Sequence, residues 1–292
     1  MSTLLITGAT GFLGSHLLKT LLADTTDEIV LIKRSFSNTK RITRELRNPR
    51  VHAHDVDQIP LEKLPWKEID VVVHCATEYG RQKDSCYQVL QTNLLFPVQL
   101  LELAVKHGVR AFINTDSYFN KGNLSYSYLR DYSLSKKSLN MWLKYFSKRI
   151  SVINLRLEHI YGPWDGPNKF VEYVIQNVAV HPKKSIDLSP GKQKRDFVYV
   201  TDVCQYYLRA INYARSAHFR FKQVDVGTGK LTSIRKFVET VKSIAKSSSC
   251  LNFGALPYRP DEIKASCADM PCLPRCTSVE QGIRNILKLY KK

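Results

Sequence analysis

Tyr132 and Lys136 stand four residues apart in D-Y-S-L-S-K, where a helical spacing of apolar residues begins. Residues i and i+4 share one face of a helix, so phenol and ammonium become neighbours. A tyrosine with its ordinary pKa of about 10 is a poor acid–base group at neutral pH, and a nearby ammonium lowers that value. Tyr126 and Tyr128 lie close by, but neither is followed by a lysine at the same spacing. A third group stands upstream. In N-T-D-S, Asn114 to Ser117, the hydroxyl of Thr115 follows the apolar run RAFIN. That is the carboxyl end of a predicted strand, where open α/β sheets place their ligands. Thr115, Tyr132 and Lys136 together form a candidate catalytic set: a hydroxyl to hydrogen-bond a substrate oxygen, a phenol to give or take a proton, and an ammonium to tune the phenol. The alternative is a strand-end hydroxyl beside a helix-start aromatic.

The elements that must position these groups are readable from periodicity. Apolar runs at Thr3–Thr7, Glu28–Lys33, Val51–His54, Asp70–His74, Arg110–Asn114 and Ser151–Arg156 predict strands. Helical patterns such as Leu94–Val105 and Ser138–Phe146 lie between them. This rhythm predicts an α/β fold, a Rossmann-type doubly wound parallel sheet. After Gly162 the rhythm loosens into YGPWDGPNK and SPGKQKRD. Residues 1–162 are therefore expected to form a dinucleotide-binding domain, its sheet completed by about 222–228, and 163–292 a smaller, interleaved substrate-binding region.

The first predicted strand runs into Gly8, Gly11 and Gly14 and then a helix. The first glycine allows a tight turn, the second a close approach to a pyrophosphate, and the third close packing of helix on strand. The helix start at Phe12 and Leu13 offers free N–H groups and a positive dipole end to an anion. The alternative is a glycine-rich turn without a ligand. At the end of the second strand, where an acidic residue binds the ribose 2′-hydroxyl in NAD sites, this chain has Lys33 and Arg34. Cations there suit a 2′-phosphate, so NADP(H) is the expected cofactor. Ordinary loop cations are the alternative.

Composition narrows the class. The chain has 292 residues, 43% of them apolar, enough for a sizeable core. No stretch reaches the roughly 18–20 apolar residues of a membrane helix, and the N-terminus lacks the pattern of a signal peptide. A soluble, cytoplasmic protein is expected. Seven scattered cysteines without nearby histidines argue for reduced thiols rather than a metal site. The net charge of +18 favours anionic partners, but the basic residues are spread, densest at Lys33–Arg47. Diffuse charge without a recognition motif argues against nucleic acid.

The spacing GxxGxxG and the stretch TGATGFLG resemble the extended branch of the short-chain dehydrogenase/reductase superfamily, which works on nucleotide sugars. The order of glycine turn, strand-end Thr115 and YxxxK matches that superfamily. The resemblance implies that Lys136 also holds the nicotinamide ribose, that Asp55 and Val56 contact adenine, and that Ala76 and Thr77 run along the cofactor. Thr115-Asp116-Ser117 lacks the glutamate that sugar 4,6-dehydratases carry after Thr-Asp, which argues against dehydration. HCATEYGR, INTDSYF, LRLEHIYGPWDGPNKF and RDFVYVTD resemble the CDP-abequose and CDP-paratose synthase family over nearly the whole chain, although ADMPCLPRCTSVEQGI lacks a Leu-Gly-Trp common in relatives. The resemblance implies NADPH-dependent reduction of the C4 ketone of CDP-4-keto-3,6-dideoxy-D-glucose, with ATEYG and NTDS nearer the abequose branch. It places Glu78, Asp116, Ser117, Glu158, His159, Asn168 and Lys169 on the substrate side, and Arg195 and Arg259 on the diphosphate of a nucleotide-diphosphate sugar. Arginine forks suit phosphate oxygens. A homodimer through the Leu94–Val105 and Ser138–Phe146 faces stays open, as do a C4 epimerase with retained NAD and a non-catalytic nucleic-acid-binding or NADP-sensing relative.

Overall fold

The computed structural model describes residues 2–81, 85–121 and 127–290; Tyr126 lies outside them. The first half of the chain alternates strand and helix. Its elements are β1 (Thr3–Thr7), α1 (Phe12–Asp24), β2 (Glu28–Lys33), β3 (Val51–Asp55), β4 (Ile69–His74), α2 (Cys86–Leu90), α3 (Phe96–Lys106), β5 (Ala111–Ser117), α4 (Arg130–Phe146) and β6 (Ser151–Leu157). A π-type turn over Gln91–Leu95 joins α2 to α3. The remainder contains β7 (His159–Tyr161), α5 (Phe170–Val174), β8 (Ser185–Leu188), β9 (Lys194–Arg195), β10 (Phe197–Tyr199), α6 (Val200–Ser216), β11 (Phe221–Val226), β12 (Thr232–Ser233), α7 (Ile234–Ala245), β13 (Cys250–Phe253), β14 (Ala265–Ser266) and α8 (Val279–Tyr290).

The chain divides into two compact units. One comprises Met1–Leu124, Leu129–Arg156 and Cys204–Val224, the other Ser125–Tyr128, Leu157–Val203 and Asp225–Lys292. The main sheet has the order β11-β6-β5-β4-β1-β2-β3. β1 pairs in parallel with both β2 and β4, β2 with β3, and β4 with β5. The expected Rossmann-type α/β fold is therefore present. From β1 the chain steps one way to β2 and, after β4, the other way to β5. Right-handed crossovers in opposite directions put their helices on opposite faces. A crevice for ligands opens where the order reverses, outside the carboxyl ends of β1 and β4.

The central strands are near-continuous apolar runs because both faces are covered, whereas the edge strands β3 and β11 are partly exposed. Leu4, Leu5 and Ile6 of β1 and Val71, Val72 and Val73 of β4 are fully buried. α3 and α4 share one core with this sheet, in which Leu100, Leu139, Leu143 and Phe146 meet Leu5, Val72 and Phe112. Burying side chains of this size contributes roughly 1.5–3 kcal/mol each, as an upper estimate.

The second unit has its own core, built from Tyr161, Phe197, Phe237, Val238, Ile283 and Ile286. Phe197 stacks on Phe237 with centroids 4.3 Å apart. Gly282 lies so close to the Tyr161 hydroxyl that a side chain would displace it. Two carboxylates of RDFVYVTD tie loops together. Asp196, fully buried, accepts from Thr228 N (2.8 Å), Gly229 N (2.9 Å) and Ala268 N (3.2 Å). Asp202 accepts from Thr277 N (2.7 Å) and Thr277 Oγ1 (2.9 Å).

Candidate functional site

The glycine turn has the geometry of an anion cradle. Gly8 adopts φ +72°, and a Cβ on it would stand 2.5 Å from the Ala76 backbone nitrogen. A Cβ on Gly14 would collide with the Gly8 carbonyl. Gly11 N donates to Gly8 O over 3.0 Å, closing the turn, and α1 then starts without a side-chain cap or an acidic residue in its first turn. Its first N–H groups and the positive end of its dipole are thus left for an anion. The residues present fit the pyrophosphate of a dinucleotide. Phe12 and Leu13 open that helix, and Ala76 and Thr77 follow β4 across the crevice.

Thr7 fastens β1 to β4 beneath this turn. Its hydroxyl oxygen accepts from Cys75 N (3.2 Å) and Ala76 N (3.1 Å) and lies 2.8 Å from His74 Nδ1. The hydroxyl has one proton, which is left for Nδ1. The His74 proton is thereby assigned to Nε2, a buried atom without a partner.

At the end of β2, Lys33 is ion-paired with Asp55, and Val56 N returns to Lys33 O (2.9 Å). Asp57 accepts from the Ser35 backbone (2.8 Å) and hydroxyl (2.5 Å), and these bonds hold its carboxyl below the ordinary range. The Arg34 guanidinium lies over the Phe36 ring at 4.8 Å. Of the two expected phosphate-reading cations, one is therefore already shared with a carboxylate.

The candidate proton-transfer groups come together in the first unit. Tyr132 and Lys136 sit in the first two turns of α4, 4% and 3% exposed. The Lys136 ammonium donates to the Thr115 carbonyl (2.9 Å) and lies 6.0 Å from the Tyr132 ring centre. The Thr115 hydroxyl turns elsewhere, 2.6 Å from the buried Tyr207 hydroxyl and 3.3 Å from Cys75 Sγ. Ser117, rather than Thr115, is the hydroxyl residue that draws the Tyr132 pKa down, against the effect of burial. Residues two apart on a strand share a face, so periodicity does not separate Thr115, expected in the catalytic set, from Ser117, expected on the substrate side. The turn after β5 distinguishes them.

Burial pushes the Tyr132 phenol well above its usual range and lowers the Lys136 ammonium. The depressed phenol expected from the spacing is thus not produced by the protein groups alone. Desolvation outweighs an ammonium that is hydrogen-bonded to a carbonyl instead. Burial also raises Cys75 to about 11.

The expected substrate residues divide by their partners. Glu78 folds back on its own turn, accepting from Tyr79 N (2.8 Å) and Gly80 N (3.4 Å). Asp116 is 3% exposed and accepts from Ser117 N, Asn120 and Asn154, each at 2.8 Å. Burial raises its pKa, against the attraction of Lys136. In the second unit, Glu158 is buried and accepts from Ser266 Oγ (2.8 Å), and the His159 ring meets Phe197 edge-on at 5.0 Å. Arg195 is 5% exposed and donates to Ile263 O (2.7 Å), Lys194 O (2.9 Å) and Glu262 (2.6 Å). Asn168 is exposed, Lys169 precedes α5, and exposed Arg259 covers the Tyr128 ring at 3.7 Å.

Two residues escaped sequence reading. Tyr207 gave no signal beyond an aromatic on a helix. Asn93, fully buried, holds the loop after β4: its Oδ1 accepts from Glu78 N (2.8 Å), and its Nδ2 donates to Glu78 O (2.7 Å) and Ser135 Oγ (3.1 Å). An amide at the head of the apolar run NLLFPV was its signal. All seven cysteines are free, and among the described residues no group of three His, Cys, Asp or Glu is placed to hold a metal. No helix among them is long and apolar enough to cross a membrane.

With glycine cradle, switch-point crevice and buried Tyr-Lys pair in place, the chain belongs to the NAD dependent epimerase/dehydratase family, whose model matches residues 4–227. Within it, the chain is similar to CDP-abequose synthase of Salmonella muenchen, 34% identical over 98% of this chain and 97% of that one. A second CDP-abequose synthase, from Salmonella typhimurium, is 32% identical over 91% and 89%. In fold it is similar to UDP-glucuronic acid 4-epimerase from Bacillus cereus in complex with UDP-glucuronic acid and NAD. That likeness has a TM-score of 0.81 at 24% identity and covers 99% of each chain.

Proposed function

We propose that this chain reduces the C4 ketone of a nucleotide-linked 4-keto-6-deoxy sugar with NADPH. The substrate favoured by the CDP-abequose synthases at 34% and 32% identity is CDP-4-keto-3,6-dideoxy-D-glucose. The product would be CDP-abequose, made in the cytoplasm for the O-antigen of lipopolysaccharide. The observation that carries the reading is the buried Tyr132 phenol with Lys136 on the same helix face. A phenol held protonated by burial suits the acid of a reduction. Tyr132 gives its proton to the C4 oxygen. Ser117 and Lys136 then hold the phenolate by a hydrogen bond and a charge until a proton returns. When bound, the dinucleotide supplies the hydride to C4.

In this reading Ser117 takes the part expected of Thr115, and Thr115 positions Lys136 through its carbonyl. Ser117→Ala is expected to lower kcat by about 10²-fold, the usual loss for one donor at a developing oxyanion. Thr115→Ala, which keeps the carbonyl, is expected to cost less. Equal losses in steady-state kinetics would return Thr115 to the catalytic set.

Gly8, Gly11, Gly14, Phe12 and Leu13 take the pyrophosphate, and Ala76, Thr77, Asp55 and Val56 line the cofactor. Because Lys33 is shared with Asp55, preference for NADPH over NADH rests on Arg34. Gly14→Ala forces the turn open, a strain of about 1–3 kcal/mol. Dinucleotide Kd is expected to rise about ten- to a hundredfold in a fluorescence titration. Arg259, Asn168 and Lys169 are the proposed contacts to the nucleotide diphosphate. Arg195 would have to share its guanidinium with Glu262 to join them.

α4 carries Leu134, Met141, Trp142 and Tyr145 at 44–67% exposure, more apolar surface than a solvated face needs. A second copy of the chain is the proposed occupant. Light scattering is expected to show a dimer, and Trp142→Glu a monomer.

The deciding experiment is nicotinamide absorbance with NADPH or NADH and CDP-4-keto-3,6-dideoxy-D-glucose. Rapid NADPH consumption giving the axial C4 alcohol supports the proposal, and the equatorial alcohol identifies the paratose reaction. A second reading, a nucleotide-sugar 4-epimerase, draws on the fold shared with 4-epimerases. It requires a retained dinucleotide and no net consumption. A non-catalytic role in nucleic-acid binding or NADP sensing leaves the buried Tyr-Lys pair without purpose.

A further inference from the structure

Cys272 and Cys276 lie between β14 and α8, in the second unit. Both are free thiols, and their sulfur atoms stand 3.9 Å apart in a hydrogen bond. The Cys276 S–H is also directed at the Leu273 carbonyl, 3.6 Å away. A thiol has one proton, so the proton between the two sulfurs is assigned to Cys272.

The stretch is pinned at both ends. Cys272 N donates to Gly227 O (2.8 Å), and next to Cys276 both Thr277 N (2.7 Å) and Thr277 Oγ1 (2.9 Å) donate to Asp202. Between these anchors C-L-P-R-C forms neither helix nor strand, so no regular element has to unwind for the sulfurs to meet. Bonded sulfurs are about 2.05 Å apart, so closing asks for a shift of about 2 Å, within reach of rotation about the two Cα–Cβ bonds. Cys272 is 7% exposed, whereas Cys276 is half-buried. Burial and the neighbouring Cys276 sulfur push the Cys272 thiol well above its usual range, so it keeps its proton and is the poorer first nucleophile. A reagent from solution meets Cys276 first.

We propose that Cys272 and Cys276 are a thiol–disulfide site oxidised by hydrogen peroxide, with Cys276 the attacking and Cys272 the resolving thiol. The Cys276 sulfur attacks one peroxide oxygen. An S–O bond forms, the O–O bond breaks, and the departing hydroxide takes the Cys276 proton and leaves as water. Cys276 is then a sulfenic acid, oxidised by two electrons. The Cys272 sulfur attacks it, an S–S bond forms, the S–O bond breaks, and the hydroxyl leaves with the Cys272 proton as a second water. Two thiols and one peroxide thus give one disulfide and two waters. The bond fixes the turn that holds Gly227 and leads into α8, and it spares Cys276 the irreversible sulfinic acid. The site does not draw on the reductase reading, and either can fail without the other.

The test treats the reduced full chain with about one equivalent of hydrogen peroxide, enough for one pair. Intact mass and peptide mapping without reductant provide the readout. The expected product is about 2 Da lighter, two hydrogens having been lost, and carries a link between Cys272 and Cys276 that dithiothreitol opens. Sulfenic acid at the exposed Cys86 or Cys250 would raise the mass instead. Cys276→Ser is expected to abolish the link. Cys272→Ser is expected to leave a sulfenic acid at Cys276, trapped by dimedone. Circular dichroism checks that each variant is folded, and an alanine variant replaces any serine variant that is not. An unchanged mass, a link between other cysteines, or a link formed only in urea would overturn the proposal. Dimedone labelling of Cys272 in Cys276→Ser, as fast as that of Cys276 in Cys272→Ser, would overturn the assigned order of attack.

Discussion

Tyr132→Phe is expected to lower turnover of the 4-keto nucleotide sugar by about 10²- to 10⁴-fold, the span for loss of a positioned acid. The substitution removes one oxygen from a buried site and leaves the ring, its stack on Tyr79 and its edge contact with Phe119 in place. The fold and the glycine cradle should not sense it. Dinucleotide affinity measured by fluorescence is therefore expected to stay within about threefold of wild type, a change under 1 kcal/mol. The Ser117 hydroxyl stays available to the substrate oxygen, so a small residual rate is expected. Turnover near the wild-type value in single-turnover kinetics would show that the proton comes from elsewhere.

A second large effect is expected in stability against acid. His74 is fully buried between β1 and β5, against Phe96 and Phe112 at 6.0 Å, and burial lowers its pKa to about 3, with the Lys136 charge adding to the shift. In the unfolded chain it titrates near 6.5. Between those values the unfolded state binds a proton that the folded state refuses, so stability rises with pH across this window. The contribution is complete above about pH 6.5 and is lost as pH falls toward 3, by about 1.4 kcal/mol per unit. Urea unfolding of wild type and His74→Phe at pH 7 and pH 5 provides the check. The gap between them should move by about 2 kcal/mol in favour of the variant at the lower pH. A gap that stays constant would mean that the imidazole titrates in the folded state as it does in the unfolded chain.

The sheet was legible in the sequence because its central strands are apolar runs with their own punctuation. Thr3–Thr7 and Glu28–Lys33 are found at the bounds read from periodicity, and the others within a few residues. The longest departure is β5, which continues to Ser117 rather than ending at Asn114. Its last residues are polar, and their buried partners, Asn154 and Tyr207, come from distant parts of the chain. Periodicity carries no trace of such partners.

The sequence by itself determined the glycine turn, the doubly wound sheet and the pairing of Tyr132 with Lys136. Each depends on neighbours a few residues away or on a pattern of apolar burial that the chain displays openly. Tertiary structure alone decided that the Thr115 hydroxyl turns to Tyr207 and that Lys33 is taken by Asp55. It alone brought Tyr79 onto Tyr132 through Asn93, and turned the phenol's pKa upward. Those outcomes depend on contacts between residues 15 to 92 positions apart and on exclusion of water from the site. Neither spacing nor composition records desolvation, and in a buried site desolvation outweighs the charge that spacing does record.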